Sequence, residues 1–144
     1  MFPSQQGSPP LLPSVPSIFV WDEATPVLWF LTDLLRSCTN ANVEGFTDAS
    51  QLLLCDRIEG PKLIIISAAD PLDALGLLEQ RRPFAAQGPT IVCTDIVRVK
   101  SWESFRRLEV WAVVNRTPHE IGMLVGAVQR TLFSSDQTKL GLRM

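Results

Sequence analysis

The chain has 144 residues, of which 46% are hydrophobic and 19% are charged, and its formal net charge is −2. This length fits one domain with its own core, and the apolar fraction is too high for a disordered chain. Because the basic residues form no run, composition predicts no nucleic-acid partner and no binding to an anionic membrane surface. No stretch of the sequence reaches the roughly 18 consecutive apolar residues of a membrane span.

The two ends of the chain differ in composition from the middle. Residues 1–16 contain five prolines among serine, glutamine and glycine, which predicts a flexible leader because proline disrupts helices and strand ladders. A proline-rich docking peptide is the alternative for this leader. We expect a domain over 17–134 and a loose tail over 135–144, because the tail lacks a periodic apolar face.

Three cysteines, Cys38, Cys55 and Cys93, are far apart and lack the spacing of a metal site. They lie in predicted helices and strands, so we interpret them as reduced core thiols. Unpaired thiols of this kind are typical of a cytoplasmic protein.

Apolar residues recur with two periods between residues 18 and 133. Short runs of β-branched residues and leucine, such as LIIIS, predict strands that are buried on both faces. Helical spacing that begins after Thr25-Pro26, Asp48 and Thr117-Pro118 predicts helices that start at capping residues. The predicted strands are 18–21, 43–46, 63–67, 90–94 and 110–114, and the predicted helices are 26–38, 48–58, 72–82, 101–108 and 118–133.

Five predicted strands alternate with five predicted helices. Right-handed crossovers then favour a doubly wound α/β fold, a five-stranded parallel sheet flanked by helices in the flavodoxin-like manner. Polar chemistry gathers at the carboxyl ends of the strands in such sheets. The residues at those ends are Asp22, Glu23, 67–70, Thr94, Asp95 and 115–117.

The residues at these strand ends resemble those of response-regulator receiver domains, the CheY-like family, over about 18–133. In that family the first strand ends in two acidic residues that hold Mg²⁺, and Asp22 and Glu23 match them. The fourth strand of the family ends in Thr or Ser, matched by Thr94. A proline follows the phospho-accepting residue by four positions, and Pro71 keeps it.

Two reactive groups of the family are replaced at the matching positions. Ser67 stands where the acceptor aspartate is expected, and Thr117 stands where a lysine is expected. A serine hydroxyl cannot form an acyl phosphate, and without the lysine no cation pairs with the phosphoryl oxygens. Arg116 is adjacent, but the alternation of side chains along a strand predicts that it points to the other face.

The resemblance therefore implies a degenerate pseudo-receiver, which is a two-component signalling module without phosphotransfer. The segments VWDEATPVL and LIIISAADP are also similar to the pseudo-receiver domains of cyanobacterial clock proteins, which lack the acceptor aspartate and work through protein contacts. We expect no enzyme activity and no cofactor. An alternative is residual binding of an ion or a small ligand at Asp22 and Glu23, although losing one of three carboxylates weakens a Mg²⁺ site.

Four tryptophans are a high number for this length. We expect Trp21 and Trp111 in the core. The resemblance implies that partners, or a second copy of the chain, bind the face formed by helix 4, strand 5 and helix 5. Trp102, Arg106 and Arg107 are the candidate contact residues on that face, since tryptophan and arginine are enriched at interface hot spots. The expected partner is another protein of a signalling pathway.

Overall fold

The structure is a computed structural model of the chain. It describes the backbone of residues 15–55, 58, 60–81, 89–95, 99–108, 110–117 and 120–139, and their side chains except those of 99–102 and 133–139. Most of the predicted leader and the last five residues of the predicted tail lie outside these ranges.

Strands and helices alternate along the described chain, in the predicted order. The strands are β1 (Ser17–Trp21), β2 (Asn42–Phe46), β3 (Lys62–Ala68), β4 (Thr90–Thr94) and β5 (Ala112–Asn115). The helices are α1 (Thr25–Cys38), α2 (Ala49–Cys55), α3 (Pro71–Arg81), α4 (Val99–Arg107) and α5 (Ile121–Lys139).

The five strands form one parallel sheet with the order β2-β1-β3-β4-β5. This order confirms the doubly wound, flavodoxin-like α/β fold. The direction of winding reverses between β1 and β3, where Trp21 is in register with Ile66. A crevice outside the carboxyl ends of the strands forms at such a reversal, and ligands of open α/β sheets bind there. The topology thus places the end of β1 and the end of β3 at the expected site.

Two apolar layers cover the sheet, one on each face. All seven residues of β3 are buried, because alternate side chains enter opposite layers. Leu63 and Ile65 pack with residues of α1 and α5, and Ile64 and Ile66 pack with residues of α2, α3 and α4. Burial of a side chain of this size contributes about 1.5–3 kcal/mol, so β3 is the centre of the core.

Several helix boundaries differ from their predictions. Helix α2 ends at Cys55 rather than at 58, and α4 begins at Val99 rather than at 101. Thr25 does not cap α1: the N-cap is Ala24, and its amide donates to the Asp22 Oδ1 atom over 2.8 Å. Helix α5 continues to Lys139, five residues into the predicted tail. Its apolar face ends earlier, but no glycine or proline interrupts residues 127–140, so the backbone continues its hydrogen-bonding pattern.

Two glycines have structural roles near β2 and α2. A side chain at Gly45 would meet the Leu28 Cδ1 and Thr32 Cγ2 atoms at 2.9 Å, so the absence of a Cβ atom lets α1 pack closely on β2. Gly60 has a φ of 108°, in the left-handed region. This turn follows α2, and glycine adopts such a conformation without the steric cost of a side chain.

Candidate functional site

Three polar side chains from distant parts of the chain meet at the carboxyl edge of the sheet. Asp22 follows β1, Ser67 lies in β3, and Arg116 follows β5. The Ser67 hydroxyl donates to the Asp22 Oδ2 atom over 2.6 Å. Arg116 donates from Nε to the Ser67 oxygen over 3.1 Å and from Nη2 to Asp22 Oδ2 over 2.8 Å. We call these three residues the acidic-edge cluster.

Both charges of the acidic-edge cluster are largely removed from solvent. The side chain of Asp22 is 3% exposed and that of Arg116 is 16% exposed. The second oxygen of the carboxylate accepts the amide of Ala24, so both oxygens of Asp22 have donors. A buried ion pair is stable only when such additional hydrogen bonds compensate the loss of water, and here they are present.

The position of Arg116 differs from the prediction that it points away from the site. That prediction assumed strand alternation, but β5 ends at Asn115. The Arg116 amide donates to the Thr94 carbonyl over 3.0 Å, just beyond the last paired residues. The long side chain therefore leaves the pleat of the sheet and reaches across β4 and β3 to Asp22.

The residues at this edge do not fit Mg²⁺. This ion requires several oxygen ligands in octahedral geometry, but both oxygens of Asp22 already accept hydrogen bonds and a guanidinium lies against one of them. Glu23 is exposed, and no described hydrogen bond joins it to the cluster. Within the described ranges, no three His, Cys, Asp or Glu side chains come together as a metal site.

The two threonines of the predicted pocket have different environments. Thr94 is completely buried, and its Oγ1 atom has no hydrogen-bond partner among the described residues. The Thr117 hydroxyl instead donates to Glu120 Oε2 over 3.4 Å, and Asn115 donates to the same oxygen over 2.9 Å. Thr117 thus stabilises the approach to α5 and makes no described hydrogen bond to Asp22 or Ser67.

A cysteine lies next to the acidic-edge cluster, because Cys93 is in register with Ser67. Burial raises the pKa of the Cys93 thiol to about 12, against a smaller lowering by Arg116 and with further raising by Asp22 and Asp95. A thiol with this pKa stays protonated near neutral pH and is a poor nucleophile. Cys93 and Cys55 are buried, as predicted, whereas Cys38 is partly exposed.

An open pocket adjoins the acidic-edge cluster between the first turns of α1 and α5. Its volume is about 290 Å³. The sequence did not indicate this pocket, because Phe30 fits the apolar spacing of α1 and this spacing does not show which residues stay exposed. In the structure the Phe30 side chain is 54% exposed. The lining residues are Pro26, Val27, Phe30, Leu31, Arg116, Thr117 and Ile121.

An exposed tryptophan lies close in sequence to the predicted contact residues on α4. Trp111 precedes β5 rather than opening it, and it is 56% exposed instead of lying in the core. Arg106 and Arg107 are exposed at the end of α4, as the contact prediction requires. The backbone of Trp102 lies in α4, but its side chain lies outside the described residues.

Comparison with solved structures identifies the fold. A signal receiver domain of an HD domain-containing protein from Pseudomonas fluorescens matches with a TM-score of 0.70 and 20% identity, over 86% of this chain and 99% of that one. A CheY-like receiver domain protein from Methanospirillum hungatei matches with a TM-score of 0.69 and 16% identity, over 87% of this chain and 99% of that one. The chain has the response-regulator receiver fold.

A pilus assembly-related protein from Burkholderia pseudomallei also has this fold, with a TM-score of 0.67, 19% identity, and coverage of 80% of this chain and 87% of that one. No family model and no curated protein matches the sequence. Among the described helices, none is both long enough and apolar enough to cross a bilayer.

Proposed function

We propose that this chain is a pseudo-receiver, a signalling module that accepts no phosphoryl group and acts by binding another protein. The observation that carries the proposal is the acidic-edge cluster, in which Arg116 and the Ser67 hydroxyl both donate hydrogen bonds to the carboxylate of Asp22. Two of the similar structures are receiver domains of signalling proteins, which supports the signalling role.

The nucleophile is the first obstacle to phosphotransfer. Ser67 is completely buried and its hydroxyl donates to Asp22. Phosphorylation of a carboxylate gives an acyl phosphate, whereas a serine hydroxyl must lose its proton to a base during attack. Asp22 is the only described acceptor of that proton, and it is already paired with Arg116.

The cation is the second obstacle. Phosphoryl transfer needs positive charge that is free to compensate the phosphoryl oxygens. The positive charge at this edge belongs to Arg116, and two of its nitrogens are engaged by Ser67 and Asp22. Thr117, at the position of the family's lysine, carries no charge.

Labelling with acetyl phosphate in the presence of Mg²⁺ tests this proposal. We expect no hydroxylamine-labile phosphate on the wild-type chain, and no change in its melting temperature with Mg²⁺ and beryllofluoride. The Ser67→Asp variant is also expected to remain unlabelled, because Thr117 still supplies no cation. Labelling of the wild-type chain would contradict the proposal directly.

A matched variant separates a blocked pocket from a pocket without a nucleophile. Ser67→Asp combined with Thr117→Lys restores both groups of the family, and Arg116→Ala then removes the competing guanidinium. We expect labelling only after Arg116 is removed. Labelling of the double variant with Arg116 still present would show that Arg116 does not close the pocket.

We further propose that contact with another signalling protein, or with a second copy of the chain, occurs through the face that carries Arg106, Arg107 and Trp111. The exposed indole of Trp111 has the size of an interface anchor, and the arginines at its margin would tune the association rate. Trp102 remains a candidate on the same face.

Sedimentation of Trp111→Ala beside Trp29→Ala tests this face, because Trp29 is another exposed indole, on α1. We expect Trp111→Ala to weaken self-association or partner binding by about 2 kcal/mol, the scale of a hot spot. Trp29→Ala should leave association unchanged. The free energy of unfolding of both variants should stay within about 0.5 kcal/mol of the wild-type value. Equal weakening by the two variants would count against this face.

A further inference from the structure

The pocket between α1 and α5 has the form of a small-molecule site. Its volume of about 290 Å³ is at the lower end of the range for ligand pockets, roughly 300–1,000 Å³. Val27, Leu31 and Ile121 form apolar walls, and Phe30 lies half-exposed at the rim. Such a lining favours the hydrocarbon part of a ligand.

Arg116 is the only charged residue among the described residues that line this pocket. Its Nε and Nη2 atoms donate to the acidic-edge cluster, whereas Nη1 donates to no described residue. A guanidinium presents donors in a planar fork along more than one edge. A second anion can therefore pair with Nη1 while Asp22 keeps its own hydrogen bond.

We propose that this pocket binds a small carboxylic acid with an apolar chain or ring. The carboxylate pairs with Arg116 through Nη1, and the apolar body lies against Val27, Phe30 and Ile121. The occupant is a small molecule because the apolar lining is confined to one concavity of this volume. Charge complementarity with Arg116 selects an acid rather than a neutral or basic molecule.

Binding at this pocket is coupled to the acidic-edge cluster, because Arg116 belongs to both. A ligand carboxylate that attracts the guanidinium changes its hydrogen bonds to Ser67 and Asp22. Binding at this pocket gives the module a small-molecule input beyond the proposed protein contact, and Trp111 does not line the pocket.

Titration of the full, isotopically labelled chain with octanoate tests the proposal by NMR, with 1-octanol as the neutral probe of equal chain length. We expect saturable shifts of the amides of Val27, Phe30 and Ile121 with octanoate, together with a shift at Ser67. Octanol is expected to bind at least about tenfold more weakly, because it cannot form the charge-assisted pair.

Two variants on adjacent residues of α1 provide the matched control. Phe30→Glu places a carboxylate at the rim of the pocket and should weaken octanoate binding by about tenfold through repulsion and lost contact. Trp29→Glu adds the same charge at a more exposed residue that does not line the pocket. Its affinity for octanoate should stay within about twofold of the wild type.

Three results would overturn the proposal. These are an affinity for octanol equal to that for octanoate, amide shifts that lie away from the pocket, and a loss of octanoate binding in Trp29→Glu as large as that in Phe30→Glu. Because no phosphate donor is present in this titration, its outcome is independent of the labelling experiment. Each proposal can therefore fail while the other holds.

Discussion

The two edges of the sheet both carry buried polar groups, but they satisfy them differently. At the amino edge, Lys62 donates to the carbonyls of Cys55 and Ile58, and Arg81 donates to the Thr90 hydroxyl. These partners lie four to nine residues apart in sequence. In the acidic-edge cluster at the carboxyl edge, the hydrogen-bonded partners are 45 to 94 residues apart.

This difference separates a local structural role from a site. The Lys62 ammonium satisfies carbonyls at and just beyond the end of α2, where helices leave acceptors without partners. The carboxyl edge instead brings together an acid, a hydroxyl and a cation that no single element supplies. It also contains the Thr94 hydroxyl, which has no partner in the described part of the chain. The hydrogen bonds described for Lys62 and Arg81 are thus local in sequence, whereas the fold assembles those of the acidic-edge cluster.

The largest expected effect comes from breaking the long-range ion pair. Asp22→Ala leaves the Arg116 guanidinium partly buried without its carboxylate and removes the acceptor of the Ser67 hydroxyl. We expect the free energy of unfolding to fall by about 3 kcal/mol, measured by urea denaturation. Glu23→Ala, at the exposed neighbour, should change it by less than about 0.5 kcal/mol. Similar losses in the two variants would show that the cluster adds no stability.

A smaller effect is expected when the local cation at the amino edge is removed. Lys62→Met keeps the aliphatic stem but leaves two carbonyls without the ammonium, and we expect a loss of about 2 kcal/mol in urea denaturation. Arg36→Met is the matched control, because Arg36 also donates to a carbonyl, that of Val43, but is exposed. It should cost less than about 0.5 kcal/mol. A reversed order would mean that burial does not decide the contribution.

Strand β4 begins and ends with a threonine, so the same Thr→Val substitution can be made at the amino edge and at the carboxyl edge of the sheet. Thr90→Val removes the acceptor of the buried Arg81 Nη1 atom, so we expect a loss of about 1.5 kcal/mol. Thr94→Val removes a hydroxyl that lacks a described partner, and it should be neutral or stabilise the fold by up to about 1 kcal/mol. Denaturant midpoints measure both. A clear destabilisation by Thr94→Val would reveal a partner for its hydroxyl.

The smallest effect at neutral pH concerns Cys93, because this effect develops only at alkaline pH. Its folded-state pKa of about 12 exceeds the ordinary value of 9.0, so above pH 9.0 the unfolded chain releases this proton and the folded chain keeps it. Stability therefore falls as pH rises from 9.0 toward about 12, by roughly 1 kcal/mol per pH unit from this group. Urea midpoints of the wild type and Cys93→Val should diverge over that window. Parallel curves would contradict the raised pKa.

The order of the elements and the identity of the central core strand follow from the amino-acid pattern alone. LIIIS at 63–67 predicted a strand buried on both faces, and β3 is buried throughout. The alternation of strands and helices was sufficient for the doubly wound sheet, because crossover handedness leaves few other arrangements. The strand ends also predicted that Asp22 and Ser67 lie at the same edge of the sheet, where they form a hydrogen bond.

Only the tertiary structure decided which charges meet at that edge. The position of Arg116 depends on β5 ending one residue before it, and strand ends are set by pairing with β4 rather than by propensity. The sequence did not predict the exposure of Phe30 and Trp111 for a related reason. An apolar period shows which face of an element can be buried, but the neighbouring elements determine how much of that face they cover.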